Sequence, residues 1–115
     1  MSNLEEKYLL EWCNEKDIDR NMIDFKGYGV MKDKHILGET YPYKDGHCGM
    51  KLSVMILKYD TLRYGVLWHE FCHCWNHIKN EGSMHDGSWW RKFLSKPKFV
   101  IYSGILHIVI TGDML

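Results

Sequence analysis

The clearest pattern in the chain is a run of apolar residues with helical spacing between Asp60 and Gly82. When each residue is turned about 100° from the last, as in an α-helix, the apolar residues share one broad arc and polar residues occupy the opposite one. The apolar arc comprises Tyr64, Leu67, Trp68, Phe71, Cys74, Trp75 and Ile78. The pattern predicts an amphipathic helix with Asp60 as its N-cap and Gly82 as its stop, with one side in the core and the other facing a cleft.

Two further segments have helical spacing. Residues 4–16 predict an amphipathic N-terminal helix, capped by Asn3 or Ser2. Its apolar positions are Leu4, Tyr8, Leu9, Trp12 and Cys13. Beyond Gly82, either Asp86 or Ser88 can cap a short helix. The apolar side chains of that helix are Trp89, Trp90, Phe93 and Leu94.

Glycines punctuate short β-type stretches between the first two helices. We predict strands near residues 22–30, 35–43 and 48–56, with Lys44-Asp45-Gly46 as a turn. The predicted fold class is α+β, with a sheet of three to four strands packed against the long helix. We expect residues 1–115 to form a single domain, because the chain has the length of one domain with a modest core.

The C-terminal part of the chain also carries a β-type pattern. Pro97 is expected to end the helical region. Residues 99–102 and 105–110 are apolar and are separated by Ser103-Gly104, which predicts a hairpin or one bent strand. The apolar run is about a dozen residues long, whereas a membrane span needs about twenty.

The polar arc of the long helix carries His69-Glu70-x-x-His73. Residues four apart on a helix lie about 5–6 Å from each other, so His69 and His73 can bind one metal ion side by side. Glu70 is turned about 100° around the axis, beside the metal, which suits a general base acting on water. The motif predicts a small zinc-dependent peptidase.

A catalytic zinc ion takes three protein ligands and leaves a position for water. The helix can rise about 10 Å beyond His73 to Asn80, and the residues from Asn80 to His85 can span about 16 Å if extended. His85 can therefore return to the level of the metal. We predict zinc as the cofactor, with His69, His73 and His85 as ligands.

Composition narrows the classes of function. Fifteen basic and fifteen acidic residues cancel, so the net charge does not support nucleic-acid binding. The polar, acidic start of the chain does not resemble a signal peptide. We therefore expect a soluble cytoplasmic protein that does not associate with membranes. Its four cysteines, Cys13, Cys48, Cys72 and Cys74, are then expected to be reduced thiols, with Cys72 and Cys74 in the core or at its boundary.

The segment from His69-Glu70-x-x-His73, through eleven intervening residues, to His85-Asp86-Gly87-Ser88-Trp89 resembles the SprT-like zincin domain of the Spartan proteases. That family has an HExxH helix and a third histidine that begins an H-G-x-x-W/F-type segment. Residues 49–57 resemble the strand that precedes the family's metal helix. Asp86 stands where the family usually has glycine, so this carboxylate is a rival ligand or an acceptor for a zinc histidine.

The resemblance implies a zincin-like fold and an activity. It implies a zinc metallopeptidase in which Glu70 takes a proton from a zinc-activated water. It also implies that an edge strand, Cys48–Ser53, pairs with an extended protein or peptide substrate. Some relatives associate with DNA, which the balanced charge of this chain does not support.

Other readings of these residues stay open. The metal could stabilise a non-proteolytic module that binds a protein or nucleic acid, or the histidines could be incidental on a metal-free domain. His77 lies about 12 Å along the axis from His69, too far to share its ion. Tyr41, Tyr43 and Tyr102 are chemical candidates for stabilising the oxyanion.

Overall fold

The computed structural model describes residues 4–82 and 85–104. They form an α+β fold with a three-stranded mixed sheet and an N-terminal helix, which confirms the coarse fold prediction. Two short 3₁₀ turns, Arg20–Met22 and Val54–Ile56, join the larger elements. The larger elements are α1 (Leu4–Glu15), β1 (Ile23–Gly29), β2 (Gly38–Pro42), β3 (Cys48–Ser53), α2 (Asp60–Lys79), α3 (Gly87–Leu94) and α4 (Pro97–Tyr102).

The sheet has the strand order β1-β3-β2. β3 is parallel to β1 and antiparallel to β2. The predicted turn joins β2 to β3, where the N–H of Tyr43 donates to the carbonyl of His47 at 2.9 Å and Gly46 adopts a φ of 95°. The three strands lie within the predicted ranges, and Val54–Ile56, at the end of the third range, is a 3₁₀ turn instead of strand.

The core lies where α1, α4 and the sheet meet the apolar face of α2. Leu67, Trp68 and Phe71 of α2 are completely buried. Trp12 of α1 packs edge-on against Trp68, with 5.0 Å between ring centroids. The indole N–H of Trp68 donates to the carbonyl of Phe93 at 2.9 Å, so α3 is also tied to this core.

Both predicted ends of α2 are wrong. Asp60 is its first residue and the N-cap is Tyr59, which makes no side-chain cap hydrogen bond. Asn80 ends the helix in the left-handed conformation, with φ 54°, because asparagine tolerates this region better than most residues. Gly82 has another role, since a Cβ atom there would lie 2.6 Å from a carboxylate oxygen of Asp86.

The prediction of a strand at 99–102 is also wrong. Pro97 does not end the helical region but begins α4, where its fixed φ and missing N–H suit the first helical turn. Phe99 and Val100 are buried against the core, so packing decides the conformation of this apolar run. The predicted continuation at 105–110 lies outside the described residues.

Gly65 of α2 allows the C-terminal end of α4 to pack directly against the backbone of α2. A Cβ atom at this position would lie 2.2 Å from the main-chain N of Ser103 and 2.5 Å from the carbonyl carbon of Tyr102. Backbone atoms cannot swing away as a flexible side chain can. The two helices approach this closely because residue 65 has no side chain.

Gly65→Ala is therefore expected to lower the free energy of unfolding by about 3 kcal/mol, near the upper end for overpacking a core. Gly87→Ala is the matched control, because a Cβ atom at the start of α3 meets nothing within 4 Å. That control should change stability by less than about 0.5 kcal/mol. Urea unfolding at 25 °C measures the free energy of unfolding of both variants. Equal values would contradict the close packing of α4 against Gly65.

Candidate metal centre

Three histidine side chains converge on one point beside α2. His69 and His73 lie one turn apart on α2, with ring centroids 5.2 Å apart. His85, which precedes α3, places its Nε2 atom 3.2 Å from Nε2 of His73 and 3.2 Å from Nε2 of His69. The three residues predicted as ligands are therefore together and can hold a metal ion.

The spacing of these nitrogens fits a tetrahedral metal. With Zn–N bonds of about 2.0–2.1 Å, the ligand nitrogens of a tetrahedral site lie about 3.3 Å apart. Asp86 is not part of this convergent group, which among the described residues consists of the three histidines. One of its carboxylate oxygens accepts a hydrogen bond from the N–H of Trp89 at 2.9 Å. Asp86 is thus the N-cap of α3, one of the two caps that the sequence allowed.

The protonation state of the cluster suits metal binding. Burial lowers the pKa of His69 to about 3 and the pKa of His73 to about 4, and the neighbouring imidazoles add to both shifts. Burial also lowers the pKa of His85. The three rings are therefore neutral at pH 7, and a neutral imidazole is the form that binds a metal ion.

The side chain of Trp89 packs against all three histidine rings. This completely buried side chain stacks on the ring of His73, with centroids 5.1 Å apart. It also meets the ring of His69 at 4.7 Å and that of His85 at 4.5 Å. The sequence pattern placed Trp89 on an apolar helix face but did not connect it to the histidines. Its position in the first turn of α3, four residues after His85, was the available signal.

Glu70 lies beside the histidines. Its side chain is buried, and its Oε2 atom is 3.9 Å from Nε2 of His69. The hydroxyl of Thr40, on β2, donates to the other oxygen, Oε1, at 2.6 Å. Burial raises the pKa of Glu70 to about 7, although the hydrogen bond from Thr40 opposes the shift. A carboxylate that titrates near neutrality suits a general base, and a bound divalent cation would lower this pKa.

The predicted substrate-binding edge strand is wrong. Cys48–Ser53 forms β3, which has β1 on one side and β2 on the other, so its main-chain groups are already paired. β2, an outer strand of the sheet in the described part of the chain, packs against α2. Gly38 approaches Glu70 so closely that a Cβ atom there would lie 2.9 Å from Cγ of Glu70.

Comparisons of the chain with protein-family models, with curated proteins and with solved structures found no match. The resemblance to SprT-like zincin domains therefore stays a prediction from the motif. Separately, no helix within residues 4–82 and 85–104 is long and apolar enough to span a membrane.

His77 and the four cysteines are not part of the histidine cluster. Nε2 of His77 donates to the carbonyl of Tyr43 at 2.9 Å, one turn or more away from the cluster. Cys72 and Cys74 are free and completely buried, as are Cys13 and Cys48. Burial raises the pKa of the Cys72 and Cys74 thiols well above the usual value. Neither thiol belongs to the group of described residues that converges to hold a metal ion.

The three tyrosine candidates make other contacts, and the hydroxyl oxygen of Tyr43 lies 2.7 Å from where a Cβ atom at Gly49 would be. The hydroxyl of Tyr41 donates to the carboxylate of Glu39 on β2. The ring of Tyr102 packs edge-on against Phe99 in α4. The Tyr41 hydroxyl is thus engaged by Glu39, and we assign no oxyanion donor.

Proposed function

We propose that the chain is a zinc-dependent metallopeptidase of SprT-like type, which hydrolyses peptide bonds in extended protein segments. One observation carries the proposal: Nε2 of His85 lies 3.2 Å from Nε2 of both other histidines, and the carboxylate of Glu70 lies 3.9 Å from Nε2 of His69. Three neutral nitrogen ligands with an adjacent buried carboxylate are the donor set of a catalytic zinc site.

Among residues 4–82 and 85–104 no strand pairs with the outer edge of β2, and this free edge is where a substrate can pair. The carbonyl of Leu37 accepts from the N–H of Ser53 at 2.9 Å, so the main chain of Leu37 faces β3. Main-chain groups alternate in direction along an antiparallel strand. Gly38 and Thr40 therefore direct their N–H and C=O groups away from β3, toward the free edge. An extended peptide can add there as a fourth strand, next to Glu70.

The residues of the site divide the chemistry between them. When bound, zinc polarises the scissile carbonyl and lowers the pKa of water. Glu70 accepts the proton of the attacking water and delivers it to the amine that leaves. The edge of β2 holds the substrate backbone, and main-chain pairing recognises an extended conformation rather than a particular sequence. An unfolded protein is therefore the expected substrate.

The purified chain should contain about one zinc ion and should cleave an unfolded protein. A strong chelator should abolish this cleavage, and adding zinc back should restore it. The same substrate in its folded form is the control. It should be cleaved far more slowly, because its segments are not free to pair with β2.

A second function is a metal-stabilised binding module without proteolysis. His85 joins the start of α3 to α2 through the metal site, so an ion held there ties two helices together. Stoichiometric zinc that raises the melting temperature without any cleavage would favour this module over the peptidase. A chain that takes up no zinc would exclude both.

A further inference from the structure

Thr40 lies at the point where the free edge of β2 meets Glu70. Its hydroxyl is 2.6 Å from Oε1 of Glu70 and 3.5 Å from the main-chain carbonyl of the same residue. Thr40 is paired with Met50 in β3, which is completely buried. The main chain of Thr40 is therefore held in the sheet, which limits where its hydroxyl can reach.

Gly38, which also lies on β2, restricts the position of the Glu70 side chain. A Cβ atom at Gly38 would lie 2.9 Å from Cγ and 3.0 Å from Oε2 of Glu70, and 3.0 Å from a methyl group of Val66. The stem of Glu70 thus fills the space that the glycine leaves. With Oε1 bound to Thr40, the remaining oxygen is the one that lies 3.9 Å from the His69 nitrogen.

The main chain of Thr40 has a different direction from its side chain. Its side chain points to α2, whereas its N–H and C=O groups point to the free edge by the alternation along β2. One residue therefore contacts both the general base and the place where a substrate strand would pair. A substrate strand paired at this edge would therefore be linked to Glu70 through a single residue.

We propose that Thr40 is a positioning residue, whose hydroxyl holds the Glu70 carboxylate with Oε2 toward the histidine cluster while its main chain pairs with the substrate. This inference rests on the proposed peptidase function. Hydrogen bonds to a carboxylate are short and strong, and a displacement of about 1 Å at a reacting group can cost about 100-fold in rate. The hydroxyl at position 40 therefore acts on catalysis through Glu70.

Thr40→Val keeps the shape of the side chain and removes the donor, whereas Thr40→Ser keeps the donor. We expect the valine variant to lower kcat by about 10- to 100-fold, with little change in KM or zinc affinity. The serine variant should stay within about threefold of wild type. Thr61→Val, at an exposed position in the first turn of α2, is the matched control and should leave kcat unchanged. If the valine variant does not fold, Thr40→Ala replaces it.

Crystal structures of the zinc-loaded wild type, Thr40→Val and Thr40→Ser provide a readout independent of cleavage. Glu70 should leave its position in the valine variant and keep it in the serine variant. The proposal is overturned if valine leaves Oε2 of Glu70 facing the histidines, or if valine and serine have the same kcat. A wild type that binds zinc but cleaves nothing refutes the peptidase, and the crystal structures still decide the role of Thr40.

Discussion

Glu70→Gln is expected to lower the cleavage of an unfolded protein by about 100- to 10,000-fold, the usual contribution of a general base. Glutamine has the same shape but cannot accept a proton from water. Its amide oxygen can still receive the hydrogen bond that Thr40 donates to Oε1 of Glu70. Because Glu70 is not among the three converging ligands, the variant should keep its zinc and its fold.

Glu81→Gln is the control for this substitution. Glu81 is exposed beyond the end of α2, where it pairs with Lys92 at 3.1 Å. Lys92 is buried, but the glutamine amide oxygen can still accept its hydrogen bond and Lys92 also donates to the hydroxyl of Ser88 at 3.0 Å, so the control should keep its fold and cleave like wild type. Initial cleavage rates and zinc content would be measured on the same preparations. Full activity in the Glu70 variant would remove this carboxylate from the mechanism and favour the metal-stabilised binding module.

The helix and its histidines could be predicted because helical geometry alone relates residues four apart. His69 and His73 share a face of α2 whatever surrounds them, and Glu70 must lie beside them. The ends of α2 depend on smaller energies. A local competition between neighbouring residues decides them, and Asn80 reverses the chain before Gly82 is reached.

The strands could be predicted, but their order could not. The pattern over 48–53 shows a buried strand without showing which strands pair with its edges. With β3 between β1 and β2, Gly38–Pro42 becomes one of the two outer strands of the described sheet. The contact between Thr40 and Glu70 joins residues thirty positions apart, so no local spacing could have indicated it.

The C-terminal error has the same origin. Phe99-Val100-Ile101-Tyr102 is rich in residues that favour strands. Pro97 and the close approach at Gly65 favour a helix instead, because Phe99 and Val100 can then enter the core. Intrinsic β-propensity is a weak preference that a packed neighbour overrides. The identity of that neighbour depends on the whole fold.

His73→Ala is expected to lower zinc affinity by more than 100-fold. Loss of a partner outside the ligand shell already costs about 10- to 100-fold, and this substitution removes a ligand itself. Two nitrogens would remain, those of His69 and His85, whose Nε2 atoms are 3.2 Å apart. Two ligands do not complete the three-nitrogen set of a catalytic site. The variant should therefore lose cleavage at zinc concentrations that saturate the wild type, and competition with a chromophoric chelator would measure the affinity.

Two controls separate a lost ligand from a damaged helix. His77→Ala removes the next histidine along α2, whose Nε2 atom is hydrogen-bonded to the Tyr43 carbonyl, so zinc affinity should stay within about threefold of wild type.

Asp86→Ala removes the cap of α3 and should cost about 0.5–2 kcal/mol of stability. Its effect on zinc affinity should stay below that of His73→Ala, because Asp86 orients α3 and the three histidines hold the ion. An Asp86 variant that loses zinc as completely as His73→Ala would show that the carboxylate is a ligand, and a metal centre of three imidazoles would then be wrong.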